Sequence, residues 1–355
     1  MIAILQPHIP HYREDFFAQL AEKVGCAIFC YNSEGEVKKQ NFKEAVIFTK
    51  HINLRTIGNF SYYNPFVLLK GKSDTLVLML DFKHISTWLL LLTKFIHKRK
   101  IILWGQGISI RRFLKDEKET FLLLKYFLSL ADAAWFYTEN ELNMWKKRLP
   151  KLIAVSLNNT ISGIDNILSI PVIDKTEKQA LKEKYNIIEE IVFIFCARFT
   201  QNRRIDLLLQ VMEKLDNKKF GFIIIGAGGD KPDFSKYKNV YDFGGVYDFE
   251  KKTDLFQIAD IYFQPAWLGL SVVEAMAYGK PVFSFKRSGK ILQCVEYYYV
   301  KENYTGKTFD EITSFLEYIC NFNFSEIQTM SKNAKKYVTE NLLMENMITQ
   351  AISIL

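Results

Sequence analysis

A chain of 355 residues, 49% hydrophobic and 24% charged, is long enough for two globular domains of roughly 150 to 180 residues each, and this composition excludes a disordered or fibrous protein. A formal charge of +8 and a pI near 9.0 point to an acidic partner, whether nucleic acid, anionic lipid or a phosphorylated substrate. Cys26, Cys30, Cys196, Cys294 and Cys320 form an odd set without a CxxC pair, which fits a reducing, cytoplasmic compartment, and the scattered histidines offer no zinc spacing, so no protein-bound metal is expected.

The chain opens with a short apolar strand, MIAILQ, followed at once by polar residues, so no cleavable signal is expected. Amphipathic helical runs then alternate with apolar strands: YREDFFAQLAEKV, CAIFCYN, TLVLML, HISTWLLLLTKFIHK, KIILWG, a helix ending at LSLADA, AWFYTE, ELNMWKKRL and LIAVSL. Such βα alternation predicts a parallel sheet covered on both faces. The greasiest segment, Trp88 to Leu92, is far too short to span a bilayer. A polar stretch from Ser162 to Thr176, with Gly163 and Pro171, reads as a linker. The rhythm then restarts with helix TEKQALKEKYN, strand IVFIFCA, helix IDLLLQVMEKL, strand FGFIIIG, a GAGG loop, NVYDFGG, helix DFEKKTDLFQIA, strand DIYFQ, a helix containing Glu274 and strand PVFSF. Two similar domains are expected, residues 1–165 and 172–338, with 339–355 as a terminal helix that crosses back to the first.

The segment Gly269 to Val282 (GLSVVEAMAYGKPV) is the most informative. It sets a short helix and one glutamate directly behind the strand Asp260 to Gln264, so the helix N-terminus lies at the carboxyl end of a strand, where open α/β sheets bind ligands. Free N–H groups near Leu270 and Ser271 favour an anion, and Gly269 allows close approach to the backbone. The plain alternative is structural: Ser271-x-x-Glu274 is also a capping box, and Gly279 with Pro281 is ordinary helix termination.

Taken in series, these motifs resemble the retaining, nucleotide-sugar-dependent glycosyltransferases of family 4, most strongly from Phe193 to Gly306. The resemblance implies the GT-B fold: α/β, two Rossmann-like domains with parallel sheets facing across a cleft. In ARFTQNRRIDLLL, Arg198 matches the family's arginine and Arg203 the lysine five residues later that together hold the donor diphosphate; Arg204 stands where glycine is usual, which leaves open which of Arg203 and Arg204 reaches the phosphates. Gly226 and Gly228 fall in the glycine turn beside the nucleotide, whereas GAGG alone is equally a tight turn. Glu274 matches the glutamate that holds the ribose hydroxyls. The family's partner glutamate, eight residues earlier, is Ala266 here, as in a bacterial branch with a small residue at that place. Glu296 matches a further glutamate ahead of a glycine-containing turn; the alternative is a surface carboxylate beside tyrosines.

In the first domain, His11, Tyr12 and Arg13 would line the acceptor side, against an alternative of capping and packing. Gln106 replaces the histidine of WGHG; its amide can hydrogen-bond a sugar but carries no proton. Thr138 and Glu139 would face the cleft. The implied reaction moves a sugar from a nucleoside diphosphate sugar, a co-substrate rather than a bound cofactor, to a glycan or polyprenyl-diphosphate-linked acceptor with retention of configuration, in bacterial capsule, lipopolysaccharide or exopolysaccharide assembly. Arg198 and Arg203 would stabilise the leaving diphosphate. The basic segments KFIHKRK and WKKRLP suit an anionic inner-membrane surface, or simply a solvated helix face. Two alternatives stand: a catalytically degenerate GT-B protein that binds partners in an assembly complex, and a nucleotide-sugar 2-epimerase. A nucleic-acid role has charge but no motif behind it.

Overall fold

The computed structural model describes residues 1–31 and 49–355. They divide into two compact units, one of Met1–Gly163 with Leu343–Leu355 and one of Ile164–Leu342.

The first unit contains β1 (Ile2–Gln6), β2 (Cys26–Cys30), β3 (Lys50–His51), β4 (Arg55–Ile57), β5 (Phe60–Tyr62), β6 (Thr75–Met79), β7 (Lys100–Gly105), β8 (Ala133–Phe136) and β9 (Ile153–Ser156). Among the described residues seven of these form one parallel sheet in the order β3-β2-β1-β6-β7-β8-β9. Side chains alternate across it, so both faces are buried. Ala3, Leu5, Leu76, Leu78, Ile101 and Leu103 pack with Leu90 and Leu91 of the helix Ile85–Leu92 and with Phe127 and Leu128 of the helix Leu122–Ser129. On the other face, Ile2, Ile4, Val77 and Ile102 pack with Phe16, Phe17 and Leu20 of the helix Glu14–Val24. The terminal helix Met344–Ile352 completes that second face with Met344, Met347, Ile348 and Ala351.

Some elements escape periodicity. Strands β4 and β5 form an antiparallel hairpin round Gly58, whose φ of +59° suits glycine. The two residues between these strands, Gly58 and Asn59, are the local signal for it.

The second unit contains β10 (Ile191–Cys196), β11 (Phe220–Ile225), β12 (Val240–Asp242), β13 (Ile261–Phe263), β14 (Val282–Phe285) and β15 (Gly306–Phe309). They pair in parallel in the order β12-β11-β10-β13-β14-β15. The order reverses between β10 and β13, which leaves a crevice at their carboxyl ends. Phenylalanines from four strands, Phe193, Phe222, Phe263 and Phe283, share one core with Leu208 and Val211 of the helix Ile205–Lys214 and with Phe315 of the helix Ile312–Asn321.

The stretch read as a linker is partly helical. Ile164–Leu168 forms a short helix with Ile164 and Ile167 buried, because their i,i+3 spacing makes a small apolar face. The helix Lys175–Lys184 then starts at a capping box, in which Asp174 accepts from the Thr176 and Glu177 N–H groups and Glu177 accepts from the Asp174 N–H.

Lysines crowd the opposite, amino-terminal edge of this sheet. Lys178 pairs with Asp260, Lys335 donates to the Ile170 carbonyl, and Lys280 donates to the Ala259 carbonyl at 2.7 Å. Burial, with Lys178 close by, pushes Lys280 down to about 7 from an ordinary 10.5. Between those values the unfolded chain holds a proton the folded chain lacks, so this group's contribution to stability rises with pH from about 7 upward and is flat below. Lys280→Met should therefore be more stable than the parent at pH 7, and the gap should narrow as pH climbs towards 10; urea midpoints across that range check it.

Candidate functional site

Three loops leave the carboxyl edge of the second sheet and are bonded to one another. The Ala197 N–H donates to the Ile225 carbonyl (3.0 Å), Phe199 N–H to the Ala227 carbonyl (3.0 Å), and Gly226 N–H to the Gly244 carbonyl (2.7 Å). The glycines are required by this closeness. A Cβ on Gly226 would sit 2.0 Å from the Ala197 oxygen and one on Gly228 2.2 Å from the Phe199 oxygen. Gly226 and Gly228 thus have a packing role whatever the loop binds.

Arg198 and Arg203 follow β10, on the crevice side of the sheet. Arg198 is exposed, whereas Arg203 lies in the short turn Gln201–Arg203 and is half-buried. Arg203 Nη1 donates to the Trp267 carbonyl at 3.3 Å, which joins the loop after β10 to the loop after β13. Its buried Nε has no partner and no carboxylate salt-bridges it among the described residues. Burial lowers its pKa and the Arg198 charge works in the same direction, while Tyr262 and Cys294 nearby oppose it. Those neighbours supply no compensating charge at neutral pH: burial holds the Tyr262 and Cys294 protons well above their ordinary range and pushes Cys196 up to about 12. An arginine stays charged regardless, so Arg203 is a partly desolvated cation in need of an anion.

Arg204 is different. Its guanidinium forms a two-point pair with Asp206 (2.9 and 2.7 Å) and donates to the Lys290 carbonyl (3.1 Å). Its backbone takes the left-handed conformation, φ 52° and ψ 55°, which glycine adopts without strain. Of the two neighbouring arginines, Arg203 retains the unsatisfied charge.

The loop after β13 is clamped by two fully buried glutamines that periodicity cannot reveal. Gln264 Nε2 donates to the Ala266 and Trp267 carbonyls (2.8 Å each), and its Oε1 accepts from Ser271 Oγ (3.2 Å) and lies 2.6 Å from Tyr262 Oη. Gln293 Oε1 accepts from the Leu268 N–H (2.9 Å), while its Nε2 donates to Ser284 Oγ and the Phe285 carbonyl. Between them Trp267 is held at φ 57°, a strained position for a bulky residue costing about 1–3 kcal/mol. Ala266 is fully buried in the hydrophobic core, so the position of the absent glutamate faces inward.

The capping box at Ser271 does not form. Leu270 is the N-cap, without a side-chain bond, and the helix Ser271–Ala277 begins one residue earlier than a Ser271 cap requires. The Ser271 hydroxyl turns instead to Gln264, and Glu274 pairs with Lys252 at 2.5 Å, brought by the helix Phe249–Ile258. Burial opposes the Lys252 charge, but Cys196 and Glu274 outweigh it and raise the lysine above its ordinary range. Among the described residues nothing beyond its chain neighbours lies within 4 Å of where a Gly269 Cβ would be, so this backbone is open to a ligand. Glu296 is buried in the turn Val295–Tyr299, close enough to Cys294 to help raise its pKa, and is not a surface carboxylate.

In the first unit, His11–Arg13 form one 3-10 turn after β1. His11 is exposed, Tyr12 half-buried and in edge contact with it (ring centroids 5.6 Å). Arg13 is buried between Trp104 and Tyr137, 5.0 Å from each ring centroid, in a cation–π clamp. Gln106 is half-buried just past β7. Thr138 is fully buried and donates to Glu141, whereas Glu139 is exposed. Among the described residues no cluster of His, Cys, Asp and Glu has the geometry of a metal site.

Residues 177–337 match the family model for glycosyl transferases group 1. Among solved structures the chain is similar to Anabaena Alr3699/HepE in complex with UDP, at 13% identity over 99% of this chain and 98% of that one, with a TM-score of 0.66. It is also similar to the same Anabaena protein in complex with UDP-glucose (14% identity, 100% and 99% covered, TM-score 0.63) and to a glycosyltransferase from Rickettsia africae ESF-5 (17%, 99% and 97%, 0.63). No curated protein sequence matches the chain. At these identities the likeness carries the fold, which is α/β with two parallel sheets, the GT-B architecture.

Two substitutions separate packing from binding. Gly226→Ala should cost at least about 2 kcal/mol, because its Cβ meets backbone, whereas Gly269→Ala should leave thermal stability within about 0.5 kcal/mol and weaken only ligand binding. Glu274→Ala should destabilise by about 1–3 kcal/mol by stranding Lys252, and adding Lys252→Met should restore most of that loss; denaturant titration of the three variants reads it.

Proposed function

We propose that this protein transfers a glycosyl residue from a nucleoside diphosphate sugar to a hydroxyl of a glycan or polyprenyl-diphosphate-linked acceptor, with retention of anomeric configuration, in the assembly of a bacterial surface polysaccharide. The observation that carries the proposal is Arg203: a partly desolvated cation without a carboxylate partner among the described residues, beside Arg198, at the switch point of a sheet whose residues match glycosyl transferases group 1. A diphosphate supplies the missing charge.

In this reading Arg198 and Arg203 hold the diphosphate and Glu274 accepts from the ribose hydroxyls, with the glycine turn at Gly226 and Gly228 bordering the nucleotide. The open backbone at Gly269 and Leu270 receives the phosphates or the sugar. As the bond from the anomeric carbon to the leaving phosphate oxygen breaks, charge gathers on the diphosphate, where the arginines stabilise it. The acceptor oxygen bonds to the anomeric carbon, and its proton passes to the departing phosphate oxygen, which leaves a nucleoside diphosphate and a glycoside. No carboxylate at position 266 is needed for that balance. We assign acceptor binding to the first unit, with His11, Tyr12 and Gln106 as its polar groups.

A second reading, a protein that binds nucleotide without turnover, is favoured by the inward-facing Ala266. A thermal-shift screen of the purified protein against UDP, GDP, ADP, CMP and their common sugars, followed by nucleotide-release assays with the donor that binds, separates the two. Binding with release supports transfer; binding without release under any acceptor supports the second; no binding sinks both. Arg203→Met should abolish the nucleotide-induced shift and cut turnover by about 10²-fold or more, yet leave the unliganded protein as stable as the parent or more so, since an uncompensated cation is removed. A merely structural arginine would show the opposite pattern.

A further inference from the structure

The first unit carries an apolar surface that the transfer reading does not use. The helices Ile85–Leu92 and Lys94–His97 run nearly end to end about Thr93, whose N–H still bonds to the Leu89 carbonyl. Leu90 and Leu91 point into the core, but Leu89, Leu92, Phe95 and Ile96 point to solvent, Phe95 at 77% and Ile96 at 67% exposure. The helix Leu122–Ser129 behaves alike: Leu124, Phe127 and Leu128 are buried while Leu122 and Tyr126 are 75% and 55% exposed. Tyr126 stacks on Trp88, ring centroids 6.0 Å apart, so the two stripes form one surface. Helices of a globular unit normally show one apolar face, and these show two.

The charge carried by the two segments that supply this surface is of a single sign. From Phe82 to Lys100 the chain has five lysines and arginines and no aspartate or glutamate, and from Thr120 to Leu130 it has only Lys125. Lys94 is tied to Asp132 and Arg99 approaches Asp74, but Lys83 and Lys98 are exposed and lack a carboxylate partner among the described residues. The other basic segment, WKKRLP, offers no such face, because Trp145 is buried and Arg148 is committed to the Asp116 and Glu117 carbonyls.

We propose that the surface formed by Leu89, Leu92, Phe95, Ile96, Leu122 and Tyr126, with its lysine rim, docks on an anionic phospholipid bilayer. The apolar side chains enter the acyl boundary and the lysines meet the headgroup phosphates. The docking is peripheral: among the described residues no helix is long and apolar enough to cross a membrane. The inference stands apart from the transfer reading, since none of these residues is placed in the donor or acceptor machinery.

The test is sedimentation of the purified chain with phosphatidylcholine vesicles with and without phosphatidylglycerol. The expected result is binding to the anionic vesicles only, weakened about tenfold or more by Phe95→Ser with Ile96→Ser, and weakened by Lys98→Glu with Lys125→Glu or by raised salt. Both double variants change exposed or part-exposed side chains, so thermal stability and the nucleotide-induced shift should match the parent. Failure to sediment with anionic vesicles, or binding indifferent to both variants, overturns the proposal. A dimer of the parent that Phe95→Ser with Ile96→Ser converts to monomer, without vesicle binding, would instead assign the face to a second copy of the chain.

Discussion

Strands β10 and β13 lie side by side and parallel, yet the sheet grows outward from them in opposite directions, which leaves a crevice at their carboxyl ends. The distinctive chemistry of the second unit is arranged round that crevice. The β10 loop brings Arg198 and Arg203, the β13 loop brings the open backbone at Gly269, and a hydrogen bond from Arg203 to the Trp267 carbonyl ties the two together. An arginine half-withdrawn from water with no counter-ion costs stability. The fold tolerates it where an anionic ligand would return that energy.

A site of this kind has to be held open without ligand, and the buried glutamines explain how. Gln264 and Gln293 each use both ends of the side-chain amide, so the loop after β13 is bonded through its carbonyls and through the Leu268 N–H rather than through side chains that a ligand would displace. Trp267 stays in a strained conformation because both its neighbours and its own N–H, bonded to the Leu292 carbonyl, leave it no alternative. Glycines 226 and 228 do the same for the facing loop by letting backbone approach backbone. The result is a rigid rim built almost wholly of main chain.

Positive charge is spread unevenly over the molecule, and each cluster answers to a different environment. Lysines at the amino-terminal edge of the second sheet are satisfied by carbonyls and by Asp260, and the depressed affinity of Lys280 and Lys335 for protons reflects burial. Arg203 at the opposite edge lacks any such carboxylate among the described residues. The lysines of the first unit border exposed leucine, isoleucine and phenylalanine side chains. A net charge of +8 therefore describes three separate situations, none of which the total distinguishes.

Strand-and-helix alternation was legible in the sequence because strands buried on both faces, such as IVFIFC and FGFIII, must be continuously apolar, and that pattern does not depend on what packs against them. The glycines of GAGG and the arginines after β10 were legible for the same reason, since turn geometry and charge are local. The short hairpin of β4 and β5 was missed, its strands being too brief and too exposed to carry a period, although Gly58-Asn59 marked its turn. Residue partnerships were another matter. That Arg204 is neutralised by Asp206 while Arg203 is not, that Glu274 pairs with Lys252 instead of capping its own helix, that Glu296 is buried and that Arg13 is clamped between Trp104 and Tyr137 all depend on side chains far apart in the chain or on rotamers. Local patterning along the chain sets the elements and the residue types available at the strand ends; which charges pair within the protein and which face a ligand is fixed by the folded arrangement, because that depends on distances a linear pattern does not contain.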